Sequence, residues 1–298
     1  MKYHISIHIS PYEIDNYQTF IHQLRRNLNY IDDEIIFSPY LNLSTYFYDW
    51  RNSKLKSDFF VNKFNELNNI IKDECELDST VNFKDKILGA FSYKTMFLEQ
   101  YQDKVDAFIW FDSDMIFPDN AIVSLIGAHK ALEDKHCIIT PQIHRLWDET
   151  WDVLVNEDYS NTPASHDNYF GFDGYKLFKN KDRDLEVVKN EQNFKFASGW
   201  CNLLTSDLFK DYIKFDYSLG HYGPDDTFIM CLLDHYKHIG NNINQYIIKN
   251  LVVTENYKHS LNQYEDYITK NNGIKTKEEF ASETNQAAGE RINRIING

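Results

Sequence analysis

Residues 105–118 read VDAFIWFDSDMIFP, an almost unbroken apolar run from Val105 to Phe111 followed at once by Asp112, Ser113 and Asp114 and a second apolar patch. A run without alternation fits a central strand covered on both faces, as strands of parallel sheets are. In open α/β sheets ligands bind beyond the carboxyl ends of the strands. Two carboxylates placed there, one residue apart, repel each other unless a cation or hydrogen-bond donors compensate. Acids in this spacing also cap ordinary turns, but the buried strand in front of these two favours a divalent ion. Hard oxygen donors suit Mg²⁺ or Mn²⁺, whose remaining positions go to phosphate oxygens and water.

The chain on either side keeps an α/β rhythm. Ile5, Ile7 and Ile9 alternate with Ser6, His8 and Ser10, the period of a strand. Tyr17, Phe20, Ile21, Leu24 and Leu28 line one helix face, and Glu34 to Ser38 read as a second strand ending at Pro39. Phe60, Phe64, Leu67 and Ile71 predict a second amphipathic helix, and Ile87, Phe91, Leu98 and Tyr101 a third. A further helix over 119–132 and a short strand over 137–140 come next. This alternation predicts an α/β domain with a mostly parallel sheet flanked by helices. The pattern changes over 141–195, a stretch rich in Trp, Asp, Asn and Tyr that reads as loops with a small sheet or a lid. Regularity returns at Phe196, with a helix starting near Pro224 and a strand over 246–254. A polar helix over 276–297 carries Ala287, Ala288, Ile292, Ile295 and Ile296 as its apolar positions.

Hydrophobic residues make up 42% of the 298, enough for one large core or two lobes sharing one. With 45 acidic against 31 basic residues the formal charge is −14, and no long Lys/Arg run is set apart. Nucleic acid and anionic lipid are therefore disfavoured partners. Cys75, Cys137, Cys201 and Cys231 are widely spaced with no Cys-x-x-Cys pair, as expected of reduced core residues in a cytoplasmic protein. The first residues do not form a secretory signal, and no apolar run approaches the roughly 20 residues needed to span a bilayer. Tyr is abundant, 20 residues, and Tyr-rich surfaces suit sugar-like ligands, although such rings also fill cores.

The strand–DSD–apolar–Pro pattern resembles the Asp-x-Asp signature of the GT-A glycosyltransferases, whose fold is Rossmann-like, and especially their inverting, family-2-like branch. The resemblance implies that Asp112 and Asp114 reach the diphosphate of a nucleotide-sugar, a UDP-sugar above others, through Mn²⁺ or Mg²⁺, with Ser113 beside the donor. Two later motifs stand in the order the family has them. In GHYGPDDTFIMCL, residues 220–232, Asp226 matches the catalytic base and Asp225 takes the place of a Glu that would bond an acceptor hydroxyl. Acids after a Pro in a first helical turn are also an ordinary helix start. In TENYKHS, residues 254–260, His259 matches a His that completes the metal site, and Lys258 would meet a phosphate.

FASGWCNLL, residues 196–204, resembles the small-residue segment before the acceptor helix. There Gly199 would let backbone approach the donor sugar and Trp200 would stack on it, or the segment is a tight turn with a core Trp. Pro11 and Tyr12 leave the first strand where the family places its nucleotide, and Asn42 comes after the second strand. Many members carry an acid after that strand, where this chain has Ser38-Pro39-Tyr40. The implied organisation is a nucleotide-sugar half over 1–140, an acceptor-side and catalytic half of the same domain over 141–275 that contains the insertion, and a C-terminal helix over 276–298. The acceptor would be a glycan or another hydroxyl, and the oligomeric state is open. A sugar nucleotidyltransferase would need a Gly-rich phosphate loop after the first strand, which Ser10-Pro11-Tyr12-Glu13 does not offer. A carbohydrate-binding protein without turnover would have lost a metal or base position.

Overall fold

The computed structural model describes residues 1–44, 54–84, 90–143, 184–191, 194, 201–214, 225–255 and 277–297. In chain order the first half gives β1 (Lys2–Ile9), α1 (Ile14–Leu28), β2 (Glu34–Asn42), α2 (Ser57–Asn68), β3 (Glu76–Leu77), β4 (Thr80–Asn82), α3 (Ala90–Tyr101), β5 (Ala107–Phe111), β6 (Met115–Ile116) and α4 (Ala121–Leu132). The second half gives β7 (Cys137–Ile143), β8 (Val187–Lys189), β9 (Cys201–Thr205), α5 (Ser206–Asp211), α6 (Asp225–His238), β10 (Asn244–Glu255) and α7 (Lys277–Asn297).

The strands join in one mixed, mostly parallel sheet of order β3-β2-β1-β5-β9-β7-β10-β6, with β4 also on β2 and β8 also on β10. β1 lies parallel between β2 and β5, and β7 runs parallel with β10. β9 is inserted antiparallel between β5 and β7. The expected α/β architecture of a mostly parallel sheet flanked by helices is what forms.

Two apolar layers cover the sheet, and the pleat decides which residues enter each. Tyr3, Ile5, Ile7 and Ile9 of β1 and Ala107, Ile109 and Phe111 of β5 meet α1, α2 and α4. Phe108 and Trp110 of β5 face the other way, into the cluster built by α3, α5 and α6, which Ala288 of α7 joins. All five residues of β5 are buried, as its unbroken apolar run requires. At the centre of the first layer Phe20 of α1 stands edge-on to Phe111 and Phe117, at 5.3 and 5.4 Å, and lies parallel to Phe37 at 6.1 Å.

Three features depart from the periodicity. β2 does not stop at Pro39 but runs on to Asn42. Pro39 falls opposite the gap between β3 and β4, since Phe37 pairs with Leu77 and Tyr40 next pairs with Thr80. A strand accepts proline where its neighbour's ladder is interrupted. The polar side of β1 is not exposed either: His4 and Ser6 are buried under α3, and His8 nearly so. There His4 stacks on Tyr101 at 4.6 Å and its Nε2 bonds Ser38 Oγ at 2.9 Å. Finally, β10 carries a bulge. Ile248 pairs with Pro141 and Val252 with Gln142, so three residues of β10 have no counterpart on β7. Asn250 in the bulge accepts from Glu186 N and donates to the carbonyl of Asp184.

Burial holds His4 neutral and lowers its pKa to about 3; burial, aided by the Lys94 charge, does the same to His8. Both folded values lie below the unfolded imidazole value, so the unfolded chain binds more protons between them. Stability is complete above about pH 6.5 and falls as pH drops toward 3, by about 1.4 kcal/mol per histidine per unit. Urea unfolding should therefore show a loss of up to about 4 kcal/mol between pH 7 and pH 5 from the pair, and His4→Phe should remove about half of that slope.

Candidate functional site

Because β1, β2, β5, β7 and β10 share a direction, their carboxyl ends share one edge, and the antiparallel β9 begins there. Asp112, Ser113 and Asp114 leave β5 at this edge and form a tight turn closed by the Met115 N–H donating to the carbonyl of Asp112, 3.3 Å. Side chains alternate in exposure through it. Asp112 and Asp114 are half-buried, while Ser113 is turned in and only 3% exposed.

The turn is held from three directions. From behind, Ser113 Oγ donates to Glu13 Oε1 at 2.6 Å, and Glu13 Oε2 accepts the Ser10 N–H at 2.7 Å. Burial raises the Glu13 pKa, and these hydrogen bonds oppose the rise. On the exit side, Gln23 of α1 donates to the Met115 carbonyl at 3.2 Å and accepts the Phe117 N–H at 2.8 Å. Four residues on, Asn27 donates to the Pro118 carbonyl and accepts the Ile122 N–H, each 2.9 Å. One face of α1 thus supplies the bonds that a non-repetitive segment cannot make to itself.

The third support is β6, which pairs Ile116 with Thr254 and Met115 with Glu255 of β10. The last residue of β10 therefore lies beside the acidic turn. Lys258 and His259 come shortly after it in sequence, and both lie outside the described residues. Gly199 and Trp200 also lie outside them, but Cys201, the next residue, pairs with Phe111. Burial pushes the Cys201 thiol well up, with the charge of Asp112 adding to the effect.

The remaining predicted residues occupy the neighbouring elements. Pro11 is buried and opens a single 3-10 turn, Pro11–Glu13, directly after β1. Tyr12 in that turn is half-buried and packs on the first core cluster. Asp225 and Asp226 open α6, and Asp226 is half-buried. This helix rests on the cluster that contains Trp110, two residues before Asp112.

The residue leaving β2 is Asn42, not the Ser38-Pro39-Tyr40 segment, and it is locked. Its Oδ1 accepts from Asn82 Nδ2 at 3.1 Å and the Ser44 N–H at 3.3 Å, and its amide nitrogen meets His8 Nε2 at 3.2 Å. Neutral amides thus stand at the end of this strand. Lys94 of α3 is also close by in the fold, 3% exposed, with its Nζ 4.5 Å from the Trp110 ring centroid.

Sequence reasoning missed Glu13, Gln23, Asn27 and Lys94. For Glu13 a signal existed, since Ser10-Pro11-Tyr12-Glu13 has the S-x-x-E spacing of a capping box. Gln23 and Asn27 share a helix face by their i, i+4 spacing, but nothing local marks their distant partners. Lys94 carries no signal at all.

The donor set at the turn suits a hard cation. Two carboxylates from one turn are what Mg²⁺ usually takes from protein, the rest coming from phosphate and water. Among the described residues no group of three or more His, Cys, Asp or Glu encloses a metal position. No helix of the described residues is long and apolar enough to cross a membrane.

No protein-family model matches the chain, and no curated protein matches it in sequence. In structure it is similar to GalNAc-T7 crystallised with UDP, GalNAc and Mn²⁺, with a TM-score of 0.47 and 13% identity over 90% of this chain and 47% of that one. It is similar also to TarS of S. aureus at 12% identity over 99% of this chain. The TM-score is 0.47 against residues 1–349, of which 71% are covered, and 0.48 against the TarS chain of which 43% is covered. This chain spans less than half the length of GalNAc-T7.

Replacing Gln23 by Leu should leave the Phe117 N–H and the Met115 carbonyl buried without partners. At about 1–3 kcal/mol for each such group, the urea midpoint should fall by the equivalent of about 2–6 kcal/mol. Gln18→Leu, on the exposed side of the same helix, should stay within about 0.5 kcal/mol of wild type.

Proposed function

We propose that this protein is a glycosyltransferase of the GT-A type, moving a sugar from a nucleotide-sugar to an acceptor hydroxyl with inversion. The observation that carries the reading is the Asp112–Asp114 turn. It stands at the carboxyl end of a fully buried strand of a mostly parallel sheet, with its two acids half-buried and its backbone pinned by α1 and β6. A site of that kind holds charge in a fixed place, which is what transfer from a diphosphate leaving group requires.

In this reading Asp112 and Asp114 hold Mn²⁺ or Mg²⁺ together with His259. The ion, when bound, offsets the charge that builds on the departing nucleoside diphosphate. Asp226 accepts the proton of the acceptor hydroxyl as that oxygen attacks the anomeric carbon, and Asp225 orients the acceptor by a hydrogen bond. Pro11 and Tyr12 meet the nucleotide, of which uridine is the leading candidate. Lys258 would meet the phosphates, and Gly199 and Trp200 the donor sugar; Ser113, expected beside the donor, is instead turned in onto Glu13 and supports the turn from behind. Residues 1–140 form the donor half, 141–275 the acceptor-side half and 276–298 a closing helix. The acceptor is a glycan or another hydroxyl compound.

The test is a thermal-shift and hydrolysis screen with UDP-, GDP-, CMP- and dTDP-sugars, with and without Mn²⁺. One nucleotide should stabilise the protein only with the metal, and the effect should vanish in Asp114→Ala and on EDTA treatment. Asp226→Asn should keep that shift while transfer falls about 10²- to 10⁴-fold, the usual worth of a general base. Absence of a metal-dependent shift with every donor would remove the reading. Full activity in Asp226→Asn would replace inversion by retention.

A further inference from the structure

Glu13 lies outside the metal and donor residues named above, yet it is the side chain that reaches the centre of the acidic turn. It sits in the turn directly after β1, half-buried, and its two oxygens have separate duties. One accepts the Ser113 hydroxyl at 2.6 Å and the other the Ser10 N–H at 2.7 Å. Ser113, 3% exposed, stands between Asp112 and Asp114 in sequence and points away from them. Tying down the middle residue fixes which way both flanking side chains face. A carboxylate offers each of the two donors an oxygen of its own, whereas a carboxamide has one oxygen and a nitrogen that only donates.

We propose that Glu13 is a positioning residue for cation binding: through Ser113 it holds the Asp112 and Asp114 carboxylates in the paired orientation a divalent ion needs. The inference rests on the reading of that turn as a metal site. It assigns Glu13 no contact with the ion or the substrate. Groups that orient metal ligands from behind typically matter about 10- to 100-fold in affinity. The same carboxylate joins the exits of β1 and β5, so the Ser10–Tyr12 segment and the acidic turn are fixed to one another.

The experiment is a titration of Mn²⁺ in the presence of UDP, read by the electron paramagnetic resonance of free Mn²⁺. It is run on wild type, Glu13→Ala, Ser113→Ala, the double variant, Glu13→Gln and Asp114→Ala, with folding checked by circular dichroism. Each single variant at the Glu13–Ser113 contact should weaken Mn²⁺ binding about 10-fold. The double variant should be no weaker than the poorer single to within about twofold, because both changes cut the same bond. Glu13→Gln, which keeps an acceptor for Ser113, should recover most of the loss.

Losses that multiply in the double variant, or single variants within about twofold of wild type, overturn the proposal while leaving the metal site standing. Should Glu13→Ala fail to fold, Ser113→Ala decides by the same threshold, since it removes only a hydroxyl. A wild type that takes up no Mn²⁺, or an Asp114→Ala that takes up as much, removes the metal reading itself and the proposal with it.

Discussion

β5 is hydrogen-bonded on one side to the parallel β1 and on the other to the antiparallel β9, and both of its faces are buried. That position in the sheet dictates most of what lies around it. Five side chains enter two different cores, and full burial of residues such as Phe, Ile and Trp is worth about 2 kcal/mol each. A strand so committed cannot slip by one residue without exchanging the occupants of both layers. The point where it ends is therefore fixed in space to the precision of the packing. A parallel neighbour ends at the same edge, and an antiparallel one begins there, so segments far apart in sequence meet beside Asp112 without any bond between them being required.

Past the end of the strand the chain is held by polar bonds of a different character. Gln23 and Asn27 treat the backbone of residues 115–122 as a neighbouring strand would, accepting its N–H groups and donating to its carbonyls. Buried backbone groups are costly to leave unpaired, so a helix that offers amides converts an irregular segment into a rigid one. Rigidity of this sort is useful where two like charges are kept side by side. Reacting groups gain from being placed beforehand, because the cost of ordering them has been met in folding.

The buried strand, the helices around it and the parallel character of the sheet were legible because hydrophobic period is a local property. Where the reading went astray, the missing information was non-local. Pro39 looks like a terminator until the gap between β3 and β4 is known. The alternation of Ser6, His8 and Ser10 with isoleucines marks a strand but not what covers its polar face, which is α3, with His4 and His8 turned to Ser38 and Asn42. Of the candidate site, the acids of the Asp112–Asp114 turn and of the α6 start could be found by spacing and neighbours. Glu13 could have been found as a capping residue, but its partner Ser113, a hundred positions away, could not. Lys94 shows the limit most plainly, since a lysine on a helix reads as solvated until Trp110 is seen beneath it.

The bulge in β10 has a bearing on how the protein can change over generations. Its residues 249–251 lie opposite the step from Pro141 to Gln142, where proline offers the ladder no donor, and Asn250 anchors them to the segment before β8. Beyond the bulge the strand rejoins β7 and then delivers Thr254 and Glu255 to β6. Gain or loss of one residue there would leave the first half of β10 in register and turn over the faces of the second half. Inherited changes of length at this spot thus reach both the acidic turn and the first core, where Leu251 and Val253 are buried, and are tolerated where the bulge itself takes up the difference.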